Sequence, residues 1–323
     1  MSPPELPLEL LYEISRHLMP SSHVKHDLKK LEWPCIHNLS VSSKRFRRAA
    51  LECWFSSLFI REGSDWEEIE KFIRVERVSR LHIFPAALDP QAVKRLKKYE
   101  KLEVLSVNMH VVWQDFPESS HLARLLVPCI PQSIISLEIS CMSVEQFQDL
   151  VPLLASIASG CPLLGRLGFY SAASNCKECL EETRLPFPIP ERSPHQLADA
   201  LARSLSELSC IRSLSLPIHL SDGDICERHL TAHPPMRVNE RASESNCDKC
   251  VEEFGPSTRN NETIVAGILS DRLNSLRKVH FGSWVYGRGR GGVRFVRHVA
   301  GSKLNHELVP SYIDTQEWDG GRL

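Results

Sequence analysis

An apolar triplet recurs six times along the chain at offsets 0, 3 and 5, and no other feature restricts the fold as much. Its copies are Val78, Leu81 and Ile83; Leu102, Leu105 and Val107; Ile134, Leu137 and Ile139; Leu164, Leu167 and Phe169; Ile211, Leu214 and Leu216; and Leu276, Val279 and Phe281. The last two residues of each copy have the period of a strand with one buried face, and the first packs the turn that leads in. Helical patterns fill the gaps. Ser64 and Glu67 make a capping box for a helix from Asp65 through Arg74 that buries Trp66, Ile69 and Ile73. Asp89 and Pro90 start a helix carrying Val93 and Leu96, and His121 to Val127 is a shorter candidate with Leu122, Leu125 and Leu126. Ser143 with Gln146 starts another, carrying Phe147, Leu150, Leu154 and Ile157 to Gly160, with Pro152 expected to kink or restart it. Ser193, Pro194 and Gln196 open a helix through Leu197, Leu201, Leu205 and Leu208, and Asn261 precedes Ile264, Ile268 and Leu269. Strand and helix in alternation predict right-handed crossovers and a parallel sheet, an α/β fold.

Between the middle residues of successive triplets the intervals are 24, 32, 30, 47 and 65 residues. A strand-plus-helix module of this kind needs about 20–30 residues. The last two intervals therefore carry insertions, at about 172–193 and 221–260, each following a strand and so leaving the same edge of the sheet. Long excursions on one edge are more often functional than decorative.

The triplets over Val78 to Ser283 resemble leucine-rich repeats in an irregular form, although His110, Met142, Ala172, His219 and Trp284 stand where such repeats often carry asparagine. The resemblance implies a solenoid of stacked α/β layers. A flat doubly wound sheet is the alternative, but no strand is followed by the glycine-rich phosphate loop of that fold.

The N-terminal LPLELLYEISRHL places Leu10, Leu11, Ile14 and Leu18 at helical spacing behind Pro7. After a polar break, LSVSSKRFRRAALECWFSSLFI reads as a second amphipathic helix with Phe46, Ala50 and Trp54. Leu6, Pro7, Leu10, Ile14, Leu39, Val41, Ser42 and Phe46 together resemble an F-box. A bundle this short leaves an apolar face uncovered, the usual mark of a partner's site. The resemblance implies a eukaryotic, non-catalytic subunit of a Skp–cullin–F-box ubiquitin ligase. Leu6, Pro7, Leu10, Leu11, Ile14, Leu18, Leu39, Val41 and Phe46 would bind the Skp adaptor, which links to a cullin, while the repeats hold an unidentified protein target. The expected organisation is 1–60 F-box-like helices, 61–77 a connecting helix, 78–283 repeats and 284–323 a cap or flexible tail in which Tyr312, Ile313 and Trp318 cover the open end.

A net charge of −1 provides no global field to recruit nucleic acid or anionic membrane. Pro3, Pro4 and Glu5 stand where a signal peptide needs basic and then apolar residues, and no apolar run reaches the length of a membrane span. A cytoplasmic or nuclear protein is expected. Eleven cysteines, an odd number, argue for reduced thiols or metal ligands over a disulfide framework. Cys226 and His229, then Cys247 and Cys250, have the two-residue spacing that aims both side chains at one tetrahedral zinc; Cys176 and Cys179 are the competing pair. One structural zinc is the cofactor expected, with ordinary loop thiols as the alternative. A thioredoxin-like reading is set aside because each CxxC is placed in a polar loop, away from a helix start. Cys35, Cys53, Cys129, Cys141, Cys161 and Cys210 have apolar neighbours and read as core fillers. No GxSxG, HExxH or phosphate-binding lysine motif is present. Residues 286–298, with Tyr286, Arg288, Arg290, Arg294, Phe295 and Arg297, read as a flexible surface loop. The alternative function rests on them: a protein binding single-stranded RNA, its helical end merely structural.

Overall fold

A computed structural model describes residues 6–18, 34–109, 125–140, 150–170, 187–188, 193–216, 218–220, 248–281, 292–296 and 305–309. Three short helices come first: α1 (Leu8–Leu18), α2 (Pro34–Ser42) and α3 (Lys44–Phe55). The second amphipathic stretch is thus not one helix. It breaks at Ser43, whose extended backbone (φ −159°) ends α2 and whose hydroxyl accepts from the Phe46 N–H at 3.2 Å to cap α3. Leu11, Ile36, Ala49, Ala50 and Cys53 make the buried centre of this group and stand outside the contiguous core that begins at Leu58.

The end of the stretch read as helix is strand β1 (Ser57–Ile60), so the sheet starts one strand earlier than the triplets indicate. Helix α4 (Gly63–Phe72) follows. Its start is shifted from the Ser64/Glu67 expectation. The Asp65 carboxylate accepts from the backbone N–H groups of Arg61 and Glu62 at 2.7 and 3.1 Å, a geometry that Ser64 has no part in. Trp66 is buried, donating to the Ala87 carbonyl at 2.9 Å and meeting Tyr99 edge-on. Next come β2 (Arg80–Ile83), α5 (Pro90–Arg95), β3 (Val104–Asn108) and β4 (Ser136–Ser140). Asp89 caps α5 as expected, accepting from Gln91 and Ala92 at 2.6 and 2.8 Å, and Pro90 occupies the first turn, where its missing N–H costs nothing. Of the candidate at 121–127 only residues from Leu125 are described, and they lead into a 3-10 turn over Val127–Cys129.

Helix α6 (Leu150–Gly160) holds Pro152 in the first turn described; Ser143 and Gln146 lie outside the described residues. After β5 (Arg166–Tyr170) and the two-residue β6 (Phe187–Pro188), helix α7 (Pro194–Ser204) opens on the expected capping box, with Ser193 and Gln196 exchanging two 3.3 Å bonds. Strand β7 (Ser213–Leu216) and the short β8 (Ile218–His219) precede α8 (Asp248–Arg272). That helix begins thirteen residues before Asn261, through what reads as insertion. Pro256 sits inside it, where a proline ordinarily ends a helix. Burial of Phe254 and Thr258 holds the turn, and the hydroxyls of Ser257 and Thr258 both donate to the Phe254 carbonyl at 2.9 Å. Asn261 donates to the Leu220 carbonyl at 2.8 Å, tying α8 to the end of β8.

Strand β9 (Lys278–Phe281) completes seven parallel strands in the order β1-β2-β3-β4-β5-β7-β9, each beside its predecessor. A doubly wound sheet reverses its order midway; this one does not. Register aligns the triplets: Leu58, Leu81, Leu105, Leu137, Leu167, Leu214 and Val279 form one row across the sheet. That row is buried under the helices, with α7 packed between α6 and α8. Antiparallel strands β10 (Gly292–Val296) and β11 (Asn305–Val309) extend the sheet beyond β9. Part of the segment read as a flexible loop is therefore strand, paired through Val293 opposite Val279. Tyr312, Ile313 and Trp318 lie outside the described residues. Strands β6 and β8 pair in parallel, bringing the end of the first insertion against the start of the second.

Among the described residues no helix is long and apolar enough to cross a membrane.

Candidate functional site

Two surfaces stand out, one at each extreme of polarity. The first is apolar and lies on the helical end. Seven large hydrophobic side chains are exposed among the described residues, and four of them are here: Leu6 (45%), Leu10 (48%), Ile14 (38%) and Val41 (55%). Leu10 and Ile14 stand one turn apart on α1, Leu6 lies two residues before its start, and Val41 is in the last turn of α2, which packs with α1 on α3. Pro7 is exposed beside them, while Leu39 and Phe46 are half-buried. Leu11 differs from the expectation. At 2% exposed it faces α3 and belongs to the centre of the bundle, because one residue along a helix turns the side chain by about 100°. The Leu18 side chain lies outside the description.

This end is held to the sheet by a polar clamp. Tyr12 of α1 donates to the Glu52 carboxylate of α3, and Glu52 also accepts from Arg48 at 3.1 Å and from Arg77, in the turn before β2. Burial pushes the Glu52 carboxyl up, but the hydrogen bonds from Tyr12, Arg48 and Arg77 outweigh it and leave its pKa below the ordinary value. Neither Glu52 nor Arg77 carries a sequence signal for this pairing, which joins positions 25 residues apart.

The second surface is the sheet face opposite the helices. Its residues alternate with the apolar rows and lie in register rows of their own. One row runs Ser57, Arg80, Val104, Ser136, Arg166, Ser213, Lys278, with Arg294 at the next register position. The next runs Phe59, His82, Ser106, Glu138, Gly168, Ser215, His280. Phe59 stacks on His82 with ring centroids 4.5 Å apart. The Tyr170 ring lies back over Gly168: a Cβ there would come within 2.6 Å of its hydroxyl, so only glycine admits this pose. Burial lowers the pKa of Arg166, and the negative charge of Glu138 opposes that shift. Arg80, Arg166 and Lys278 face a single carboxylate, Glu138, in these rows. Apart from His82 and His280, which read as hydrogen-bonded strand histidines, and Arg294, the sequence reading passed over these residues, although they occupy the positions between the triplet residues, where strand alternation alone locates them.

The expected zinc ligands Cys226, His229, Cys247, Cys176 and Cys179 lie outside the described residues, as does the Cys250 side chain. One premise does change: Cys250 belongs to helix α8 and not to a loop. Among the described residues no three His, Cys, Asp or Glu side chains gather as a metal site. Cys53, Cys129 and Cys161 are buried as expected, and burial pushes the Cys161 thiol up to about 11; Cys210, also read as core, is exposed.

Compared with protein-family models and with curated proteins, the chain matches none. What the fold defines is a class: an α/β protein with a seven-strand parallel sheet and a small helical bundle at its first edge.

Proposed function

We propose that the chain is the substrate-recognition subunit of a Skp–cullin–F-box ubiquitin ligase, docking the Skp adaptor through its helical end and a protein target on the sheet domain. The observation that carries this reading is the exposure of Leu6, Leu10, Ile14 and Val41 on a bundle whose centre, Leu11, Ile36, Ala49, Ala50 and Cys53, is buried. Each loses the rest of its water-exposed surface only if something covers it, which is the driving force for docking. The chain itself makes no bond on this reading. It raises the effective concentration of target lysines near the charged ubiquitin carrier. The clamp through Glu52 suits the role, since it ties the bundle to the turn that leads into β2.

Leu10→Asp and Ile14→Asp test the reading. Each places a carboxylate where the dock must be dry, at a cost of several kcal/mol, but leaves it solvated in the unbound chain. Both variants are expected to keep wild-type circular dichroism and to lose co-purification with the Skp adaptor. Adaptor retained at the wild-type level by either variant overturns the assignment of this face.

A further inference from the structure

The turns that lead into β3, β4, β5, β7 and β9 are short, fully described and on the sheet edge away from the insertions. Their last residues are joined by a backbone ladder. Ile135 donates to the Glu103 carbonyl at 2.8 Å, Gly165 to Ile135 at 2.8 Å, Arg212 to Gly165 at 2.7 Å and Arg277 to Arg212 at 2.9 Å. Along this edge the row therefore runs Glu103, Ile135, Gly165, Arg212, Arg277, and strand spacing puts its ends roughly 19 Å apart. All but Gly165 are exposed. Leu163, two residues before Gly165, is 54% exposed, about as much as Val41 on the helical end. Ile135 flanks Gly165, since a Cβ added there would meet its Cγ2 at 3.7 Å. One end of the row is thus acidic, the centre apolar and the other end basic. Glu100 and Lys101 beside Glu103 offset each other, and Glu207, in the turn before Arg212, offsets only one of the two arginines. Among the described residues no ion pair engages Glu103, Arg212 or Arg277.

We propose that this edge is the interface of a two-fold dimer of the chain, with the axis passing through the start of β5. About that point the row is its own complement. Glu103 stands two strands to one side of Gly165 and Arg277 two strands to the other, while Ile135 and Arg212 each stand one strand away. A two-fold rotation lays Glu103 against Arg277 of the second copy and Ile135 under the aliphatic stem of its Arg212. Leu163 meets its own counterpart near the axis. An unrelated partner would need the same order of acid, apolar and base in reverse; a second copy has it by symmetry. Helices α1 to α3 precede β1, four strands from the axis, so adaptor docking and dimerisation use separate surfaces. Ile135 and Leu163 from both copies make only a small apolar centre, below the roughly 1,200–2,000 Å² of stable interfaces. The dimer is therefore expected in the micromolar range, with complementary charge fixing its register.

Sedimentation velocity of the full chain from about 1 to 100 μM, at low and at high salt, reads the equilibrium. The wild type is expected to move toward twice the chain mass as concentration rises, and to do so less at high salt. Leu163→Asp changes a side chain already exposed in the monomer, so circular dichroism should be unaltered while association weakens about tenfold or more. Glu103→Arg and Arg277→Glu are each expected to weaken it about tenfold by setting like charges together. Mixed in equal amounts, these two variants are expected to recover the wild-type affinity, because each chain then offers the other both opposite charges. A wild type that stays monomeric throughout overturns the proposal and leaves the edge to some other partner. So does a dimer that Leu10→Asp abolishes and Leu163→Asp spares, which moves self-association to the helical end. A mixture that associates no more tightly than its components overturns the two-fold pairing.

Discussion

Leu10 and Leu11 are adjacent, identical in chemistry and opposite in environment, and truncating each to alanine separates docking from folding. Leu11 is 2% exposed, so Leu11→Ala opens a cavity against α3 and is expected to cost about 2–4 kcal/mol of bundle stability. Leu10 is 48% exposed, so about half of its burial energy is already spent on its own neighbours. Full burial of a leucine contributes about 1.5–3 kcal/mol. Leu10→Ala should then cost roughly 1 kcal/mol in the unbound chain, and about as much again when the adaptor covers the face, a five- to tenfold weaker complex. Because the bundle centre is separate from the main core, the assay must localise the loss. Hydrogen exchange over α1 to α3 reports bundle stability, and calorimetric titration of the adaptor at low temperature, where both variants stay folded, reports affinity. The reasoning is refuted if Leu10→Ala destabilises the bundle as much as Leu11→Ala, or if folded Leu11→Ala loses more affinity than Leu10→Ala.

Two further outcomes follow from groups inside the protein. The Glu52 pKa is lowered in the folded chain, so its contribution is complete above the ordinary carboxylate range, near 4.5, and fades as pH falls through the folded value. Glu52→Gln is thus expected to cost about 1 kcal/mol at neutral pH, partly screened because the carboxylate is 22% exposed, and almost nothing in acid. Urea melts at the two pH values check this; a difference that does not shrink in acid removes the clamp from the account. Tyr99 is buried with its hydroxyl unpartnered, and burial raises its pKa. Tyr99→Phe is expected to be neutral or stabilising by up to about 1 kcal/mol, since it deletes a buried polar group and keeps the ring edge against Trp66. A loss of more than that in a thermal melt shows the hydroxyl to be bonded.

The strands and their register were legible in the chain itself. The second and third residues of every triplet lie on the parallel strands and align across them, because alternation with period two survives any arrangement in which one face is buried. Local caps with a short-range mechanism were legible as well, as at Asp89 and Ser193. The misread elements had local signals overruled by distant partners. Ser57–Ile60 is amphipathic as helix or strand, and becomes strand because Arg80–Ile83 offers it a parallel edge. Residues 248–260 carry Gly255 and Pro256, yet stay helical because Phe254 and Thr258 are buried and their turn is bonded. The same division holds for the two surfaces. Periodicity alone puts Leu10 and Leu11 in one amphipathic helix, and the packing of α1 on α3 decides which of them faces out. Arg166, Ser213 and Lys278 are scattered over 113 residues of chain and form one row only when the sheet stacks β5, β7 and β9 side by side. Sequence determines which way a side chain can point along its own element; only the pairing of elements far apart in the chain determines what it points toward.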